Sequence, residues 1–361
     1  MSGCCEDFAA GRGRLAQLPY PGGMVSTEET LPLAAPAATP RRRRWLTVLL
    51  WLLIAPFAAW AAARVFGLES GFPTVQLIAF TPYVAAISLL PLVLALLTKR
   101  IWPAVAAAVV AIAFAACVLP RWISDSDAGV PAGPTLRVMS VNMLMGRADP
   151  DRIVGLVRSG AVDLLAVQEY TDEGRTALRQ AGLDETLPNV VSYPRPGVSG
   201  SAVYSRFPLT DQGYRRFPSD FGQARAGVRV PGALDVNVES VHPCAPSDRG
   251  RDSCWVADLA AQPAATPKGA VSLLIGDFNA TLDHEAFRQV LAKGYQDAAD
   301  VTGAGLDTSW PYDDRWFIPG VTLDHVLADE RVGVRKVVVH RIAGTDHKAV
   351  FAELVLPKAD G

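Results

Sequence analysis

The sequence predicts an α/β domain of two packed sheets with helices outside them, set behind an apolar region in the first third of the chain. Three observations predict it. After residue 135 there are more strand-like runs than one small sheet would use, stretches of helical spacing separate them, and three long apolar segments come before them. The 361 residues are 50% hydrophobic and 19% charged, too apolar for a disordered chain and too mixed for membrane helices alone.

Residues 1–44, with Gly11, Gly13, Pro19, Pro21 and an Ala/Pro stretch to Pro40, read as a flexible tail. Residues 45–123 follow with the apolar segments Trp45 to Ala63, Phe72 to Leu97 and Ile101 to Ile123. Each is near or above the ~20 residues that cross a bilayer. None carries an Asp, Glu, Lys or Arg well inside it, and three in succession fit spans better than buried core helices. We read all three as transmembrane. Arg41, Arg42, Arg43, Arg44, Lys99 and Arg100 flank one side of them, and only Arg64 and Arg121 flank the other. Because short basic flanks stay inside, the N-terminus is expected in the cytoplasm and everything after Ile123 outside it, on a multi-pass cell-membrane protein.

The formal charge of −2 conceals a split. Residues 1–123 hold 10 Lys and Arg against 5 Asp and Glu, whereas residues 124–361 hold 24 against 31. An acidic major domain disfavours a polyanion ligand, so nucleic acid is not expected as a partner.

Residues 124–135, rich in Ser, Asp, Gly and Pro, form a linker to a domain over residues 136–357. Leu136 to Leu144 and Asp163 to Gln168 alternate as strands around a helix over Asp149 to Gly160. Later strands are expected at Gly200 to Ser205, Ala226 to Val230, Leu234 to Val241, Ala270 to Ile275, Thr322 to Leu327, Val334 to His340 and Lys348 to Leu356. No internal repeat is evident. Cys4 and Cys5 lie in the tail and Cys117 in a span, leaving Cys244 and Cys254 as a pair in the exported part. In an oxidising compartment that pair reads as a disulfide closing a short loop; the alternatives are two free thiols or a zinc site, the latter lacking a CxxC pair.

Polar residues gather at strand ends, where side chains can converge on a cleft. Asn142 ends the first strand and Gln168-Glu169 the second; His242 follows Val241, and Asp277 and Asn279 follow Ile275. Asp324 lies in Leu323-Asp324-His325-Val326, and Asp346-His347 opens the last strand. Singly, each is more often a cap or a solvated turn than a site residue. Together they can supply what in-line attack on phosphorus needs: a place for a divalent cation, hydrogen-bond donors aimed at the oxygens, and a base in reach of water.

In Gly276-Asp277-Phe278-Asn279, Leu323-Asp324-His325-Val326 and Thr345-Asp346-His347, supported by Gln168-Glu169 and by Ser201 to Arg206, the sequence resembles the endonuclease/exonuclease/phosphatase superfamily of DNase I-like enzymes over Leu136 to Leu356. The resemblance implies a four-layer α/β sandwich and hydrolysis of a phosphoester or phosphoanhydride with magnesium or manganese. It implies Glu169 as the principal metal carboxylate, with Asn142 and Asp346 near the ion. Asp277 and Asn279 would position or activate water, and His242 would donate to the phosphorane. His347, held by Asp324 or Asp346, would act as a base or bind a phosphoryl oxygen.

Asp283 and His284 are expected to cap the next helix, His325 to pack at its strand edge and His340 to lie at the surface. Trp310, Pro311, Tyr312, Trp316 and Phe317 form either packed loop or an apolar lip for a lipid chain. Arg195, Arg215 and Arg216 are expected in solvent, outside the site.

The layout of three spans followed by this domain resembles the teicoplanin-resistance phosphatases of actinobacteria, which implies a lipid-linked phosphate such as undecaprenyl pyrophosphate as substrate, in cell-envelope metabolism. The alternatives are an extracellular phosphodiesterase of nuclease or sphingomyelinase type, or a non-catalytic membrane sensor.

Overall fold

The computed structural model describes residues 41–125, 131–313, 315 and 317–359. The expected tail with Cys4 and Cys5, much of the linker and Trp316 lie outside the described residues. The chain divides into Met1–Arg44 and Trp45–Gly361, and the second unit holds both sheets.

The first helix, α1 (Arg41–Phe66), begins in the basic cluster. The segment expected as a second continuous span is instead divided into α2 (Thr74–Ile78), α3 (Thr81–Ile87) and α4 (Leu89–Leu97), before α5 (Ile101–Val118) and a 3₁₀ turn over Leu119–Trp122. Among the described residues two helices, Arg44–Phe66 and Ile101–Trp122, are long and apolar enough to cross a membrane, and Thr81–Leu97 is a shorter apolar run. The physical reason for the division is α2. Its Val75 is buried in a cluster with Trp255, Leu259 and Phe287, and the carbonyl of Val75 takes a 2.8 Å hydrogen bond from His284 Nε2, so this turn belongs to the outer layer of the two-sheet domain.

The domain then builds two six-stranded sheets. One runs β11 (Gly333–His340), β12 (Ala349–Val355), β1 (Thr135–Asn142), β2 (Leu164–Gln168), β4 (Ser201–Ser205), β3 (Asn189–Tyr193). The other runs β5 (Leu209–Arg216), β6 (Gly222–Val228), β7 (Val236–Val241), β8 (Val271–Asp277), β10 (Asp324–Asp329), β9 (Tyr295–Asp297). In each sheet only the middle pair is parallel, β1 with β2 and β7 with β8, and every other pair is antiparallel. The two sheets are therefore built to one plan, a relation that left no visible repeat in the sequence.

Each parallel pair needs a crossover helix. Between β1 and β2 it is α6 (Pro150–Ser159), started by Asp149, whose carboxylate accepts from the N–H groups of Asp151 and Arg152, with Pro150 in the first turn. Between β7 and β8 it is α9 (Asp252–Ala260). Further helices are α7 (Asp172–Gln180), capped by Thr171, α8 (Leu183–Thr186), α10 (Glu285–Leu291) and α11 (Ala298–Val301).

The core follows the period of two along each strand. Leu136, Val138, Leu164, Ala166, Val236, Val238, Leu273, Ile275, Val326 and Ala352 point between the sheets. Met139, Val141, Leu165 and Val167 point the other way, against Ile153 and Val157 of α6. Four layers result, helix, sheet, sheet, helix, as the sequence led us to expect. Cys244 and Cys254 form a disulfide with Cα atoms 5.9 Å apart.

The apolar helices are clasped to this domain by charge. Arg64, near the end of α1, places Nε 2.7 Å from Asp283 Oδ1, and Arg121, just after α5, places Nη1 2.9 Å from Asp283 Oδ2. All three residues are buried.

Candidate functional site

Strand parity puts most of the polar set in one place. Asn142 continues the inward series of Leu136 and Val138; His242 continues that of Val236 and Val238, Asp277 that of Leu273 and Ile275, and Asp324 precedes inward Val326. All four lie where the facing sheets run out, at the C-terminal ends of the two parallel pairs and the start of β10, and all are buried.

Glu169 breaks the alternation. Its parity is that of Leu165 and Val167, which face the helices, but its backbone is left-handed, with φ at 53°. Its Oε2 accepts the Met145 N–H at 2.9 Å and its Oε1 accepts Asn142 Nδ2 at 3.2 Å. Non-glycine residues take this conformation rarely, and a surrounding structure that enforces it is a mark of functional sites. Asn279 has φ at 50°, donates its N–H to Asp277 Oδ1 at 2.8 Å and its Nδ2 to the Pro243 carbonyl at 3.2 Å. Gly276 is required beside it, because a Cβ there would come within 2.0 Å of the Val241 carbonyl oxygen on the neighbouring parallel strand.

Around this floor the charged groups converge. Asn142 Nδ2 also donates to Asp277 Oδ2 at 3.0 Å, while its Oδ1 accepts the Leu144 N–H at 2.9 Å, so Asn142 bridges two carboxylates as a donor. His242 Nε2 lies 3.7 Å from Asp277 Oδ2 and 3.9 Å from Glu169 Oε1, and its Nδ1 is 3.2 Å from the Val198 carbonyl. His347 Nδ1 lies 2.8 Å from Asp324 Oδ2, and its Nε2 is 3.5 Å from Asp277 Oδ2 and 3.9 Å from Asp346 Oδ1. Of the two partners considered for His347, Asp324 makes the hydrogen bond. Asp346 is tied instead through Oδ2 to Arg315 and to Trp310 Nε1, and stands on the far side of His347 from Asp324.

Electrostatics separate the two imidazoles. Burial holds His242 below its usual value, so it is neutral at pH 7. Burial would lower His347 as well, but Asp324 and then Asp277 overrule it and push the group up to about 10. Burial, with Asp277 adding to it, pushes Glu169 up to about 7, and burial raises Asp277 too.

These residues fit a hard divalent cation. Glu169, Asp277, Asp324 and Asp346 are four buried carboxylates facing one imidazolium and one guanidinium at the rim, and Asp324 Oδ1 and Asp346 Oδ1 are buried without a hydrogen-bond partner. Asp277, Asp324 and His347 also have ligand atoms close enough to share an ion. The Nδ1 atom of His347 is already engaged with Asp324 at 2.8 Å, which favours Glu169 and Asp277 over that triad.

The set opens into a cavity of about 530 Å³. Its walls include three residues that no strand-end motif pointed to: Gln76 and Phe80, from the chain around α2, and Arg315. Gln76 is anchored there by donating to the Pro246 carbonyl. Arg315 stacks 5.2 Å from the Trp310 ring centre. A polar residue inside an otherwise apolar segment was the available signal for Gln76. Residues left out of the site stay out: Arg215 pairs with Glu239, Arg216 with Asp220, and Arg195 lies over the Tyr214 ring. His284 starts α10 but does not cap it with its side chain, which bridges Thr281 and Val75. His325 faces outward between Phe278 and Phe287 and bonds Asp297 at 2.5 Å.

A family model described as the endonuclease/exonuclease/phosphatase family matches residues 139–347. No curated protein matches the chain. Among solved structures, an endonuclease/exonuclease/phosphatase from Beutenbergia cavernae is similar at 18% identity and a TM-score of 0.48, covering 62% of this chain and 72% of its own. A family protein from Leptotrichia buccalis is similar at 14% identity and 0.45, covering 61% and 99%. Sphingomyelinase C from Streptomyces griseocarneus is similar at 16% identity and 0.42, covering 61% and 99%.

Proposed function

The chain belongs to the endonuclease/exonuclease/phosphatase family, and from that premise we propose that it is a membrane-anchored, divalent-metal-dependent phosphohydrolase acting on a lipid-linked phosphate or pyrophosphate such as undecaprenyl pyrophosphate. One observation carries the choice of substrate. The cavity that holds Asp277 and His347 is also lined by Gln76, Ala79 and Phe80, from the chain between two apolar helices. A headgroup entering there keeps its apolar chain beside those helices.

Glu169 and Asp277, with Asn142 between them, would hold magnesium or manganese, which supplies charge neutralisation at the phosphoryl oxygens. His347, cationic and aimed by Asp324, donates from Nε2 to a non-bridging oxygen. Neutral His242 gives its one proton from Nδ1 to the Val198 carbonyl, so its Nε2 faces the site as a hydrogen-bond acceptor and would donate to a phosphoryl oxygen only after taking up a proton. The Asp277 carboxylate, oriented by the Asn279 N–H, is the group placed to take the proton of the attacking water.

The reading places the domain outside the cytoplasm. The ends of α1 and α5 meet at one residue, Asp283, so these helices arrive at the domain in the same sense and α3–α4 runs back between them. With Arg41 to Arg44 at the opposite end of α1, the basic-flank rule supports a cytoplasmic N-terminus.

The test is phosphate release from undecaprenyl pyrophosphate by the detergent-purified chain with magnesium, with and without chelator, beside plasmid nicking by the same sample. Chelator-sensitive release without nicking is expected. Nicking without release would overturn the substrate and leave a phosphodiesterase, and no hydrolysis of either would leave a binding module.

A further inference from the structure

Beside the catalytic cavity lies a second one of about 240 Å³, with a mostly apolar lining that includes Ala79, Pro82, Tyr83, Ala86, Leu306 and Val321. Two of these, Ala79 and Val321, also line the catalytic cavity, so the two spaces adjoin. One side of the second cavity is α3, the start of the apolar Thr81–Leu97 run, and the other is the chain between α11 and β10. Tyr83 and Gly320 tie the two sides together through a 2.7 Å hydrogen bond from the Tyr83 hydroxyl to the Gly320 carbonyl. Buried Arg121 and Asp283 also line it, with the Arg121 guanidinium hydrogen-bonded to the Asp283 carboxylate.

We propose that this cavity is a subsite for the apolar chain that adjoins the scissile phosphate, so that the enzyme selects its substrate by tail as well as by headgroup. The inference rests on the lipid-linked reading of the catalytic site and deepens it. An occupant is specified by continuity: a phosphate among Glu169, Asp277 and His347 can extend its chain past Ala79 and Val321 without leaving protein, and only an apolar chain is favoured between α3 and Leu306. A nucleic-acid or sugar phosphate would leave its polar groups unpaired there.

Two measurements on the full chain in detergent test this. The first is photolabelling by farnesyl methylenediphosphonate carrying a diazirine on its second isoprene unit, with the labelled peptides mapped by mass spectrometry. Label is expected on 79–86 or 305–322, above that given by the matching diazirine farnesol. The second compares kcat/KM for farnesyl and dimethylallyl pyrophosphate. Ala86→Trp, which fills the cavity, is expected to lower that ratio about tenfold or more, the scale of lost methylene contacts in an apolar pocket. Label elsewhere, equal labelling by farnesol, or a ratio that Ala86→Trp does not move would overturn the subsite. Failure of the wild type to hydrolyse any lipid pyrophosphate would instead overturn the function, and the labelling would still decide the subsite.

Discussion

The Nδ1 atom of His347 lies 2.8 Å from Oδ2 of Asp324, and both side chains are buried. Desolvation disfavours an imidazolium, yet Asp324, with Asp277 behind it, holds the group up to about 10. On the proposed mechanism, the charge that His347 would bring to a phosphoryl oxygen is thus maintained by a neighbour that itself need not touch substrate. Asp324→Asn keeps the shape and removes the charge. We expect kcat/KM to fall by about 10²–10⁴-fold. The cationic form, present below about 10 in the wild type, should in the variant be lost as pH rises through the ordinary histidine value of about 6.5. Imidazole NMR titration beside initial rates checks both, and an unmoved titration would remove Asp324 from this role.

Glu169→Gln should separate stability from function. Burial makes the carboxylate costly, pushing it up to about 7, so the variant without metal is expected to melt at the same temperature or higher. Residues that merely support a metal ligand are worth about 10–100-fold in affinity, so a direct ligand should cost at least that much in Mn²⁺ binding, read by electron paramagnetic resonance. Unchanged binding would transfer the ion to Asp277, Asp324 and His347.

Asp283→Ala leaves two buried guanidinium groups without their anion, Arg64 at 9% exposure and Arg121 at 4%. Breaking a buried pair in this way costs about 3–5 kcal/mol. Thermal unfolding in detergent should show that loss, and Arg64→Met/Arg121→Met/Asp283→Leu should recover much of it. A neutral Asp283→Ala would mean that the clasp contributes nothing.

His284 makes the domain sensitive to acid. Burial depresses it to about 4, although hydrogen bonds to Val75 and Thr281 oppose the shift. Its unfolded value is higher, about 6.5. The stabilisation is therefore complete above about 6.5, declines as pH falls towards 4 and changes no further below that, by roughly 3 kcal/mol in all. Chemical unfolding of the wild type and His284→Gln across this window should differ in slope; parallel curves would exclude His284 as the titrating group.

Much of the fold and site is legible in the sequence for a definite reason. Strands buried on both faces, such as β1, β2, β7 and β8, announce themselves as apolar runs, and site residues at their ends inherit the inward parity, as Asn142, His242, Asp277 and Asp324 do. Strands β3, β5 and β9 escape such a reading because β3 and β5 lie at sheet edges with polar or exposed residues, and β9 is three residues long. Asp346 stands out in sequence as a metal neighbour, but its partner Arg315 lies 31 positions away and carries no local signal. The segment Phe72 to Leu97 misleads by composition: hydropathy cannot tell Val75, buried against Trp255, from residues that face lipid. Gln76 interrupts that apolar stretch and marks the cavity wall.

Strand β12 sits between β1 and β11, so the strand bearing Asn142 stays an open edge until residues 349–355 are made. Thr345 closes the gap with a 2.9 Å bond to the Asn142 carbonyl across 203 positions. Pairing over such a separation is slow, because loop closure precedes its reward. For a chain made in sequence order, the consequence is a built-in delay: Asn142, Glu169, His242 and Asp277 come first, and the candidate site is complete only with His347, after nearly the whole domain has been made.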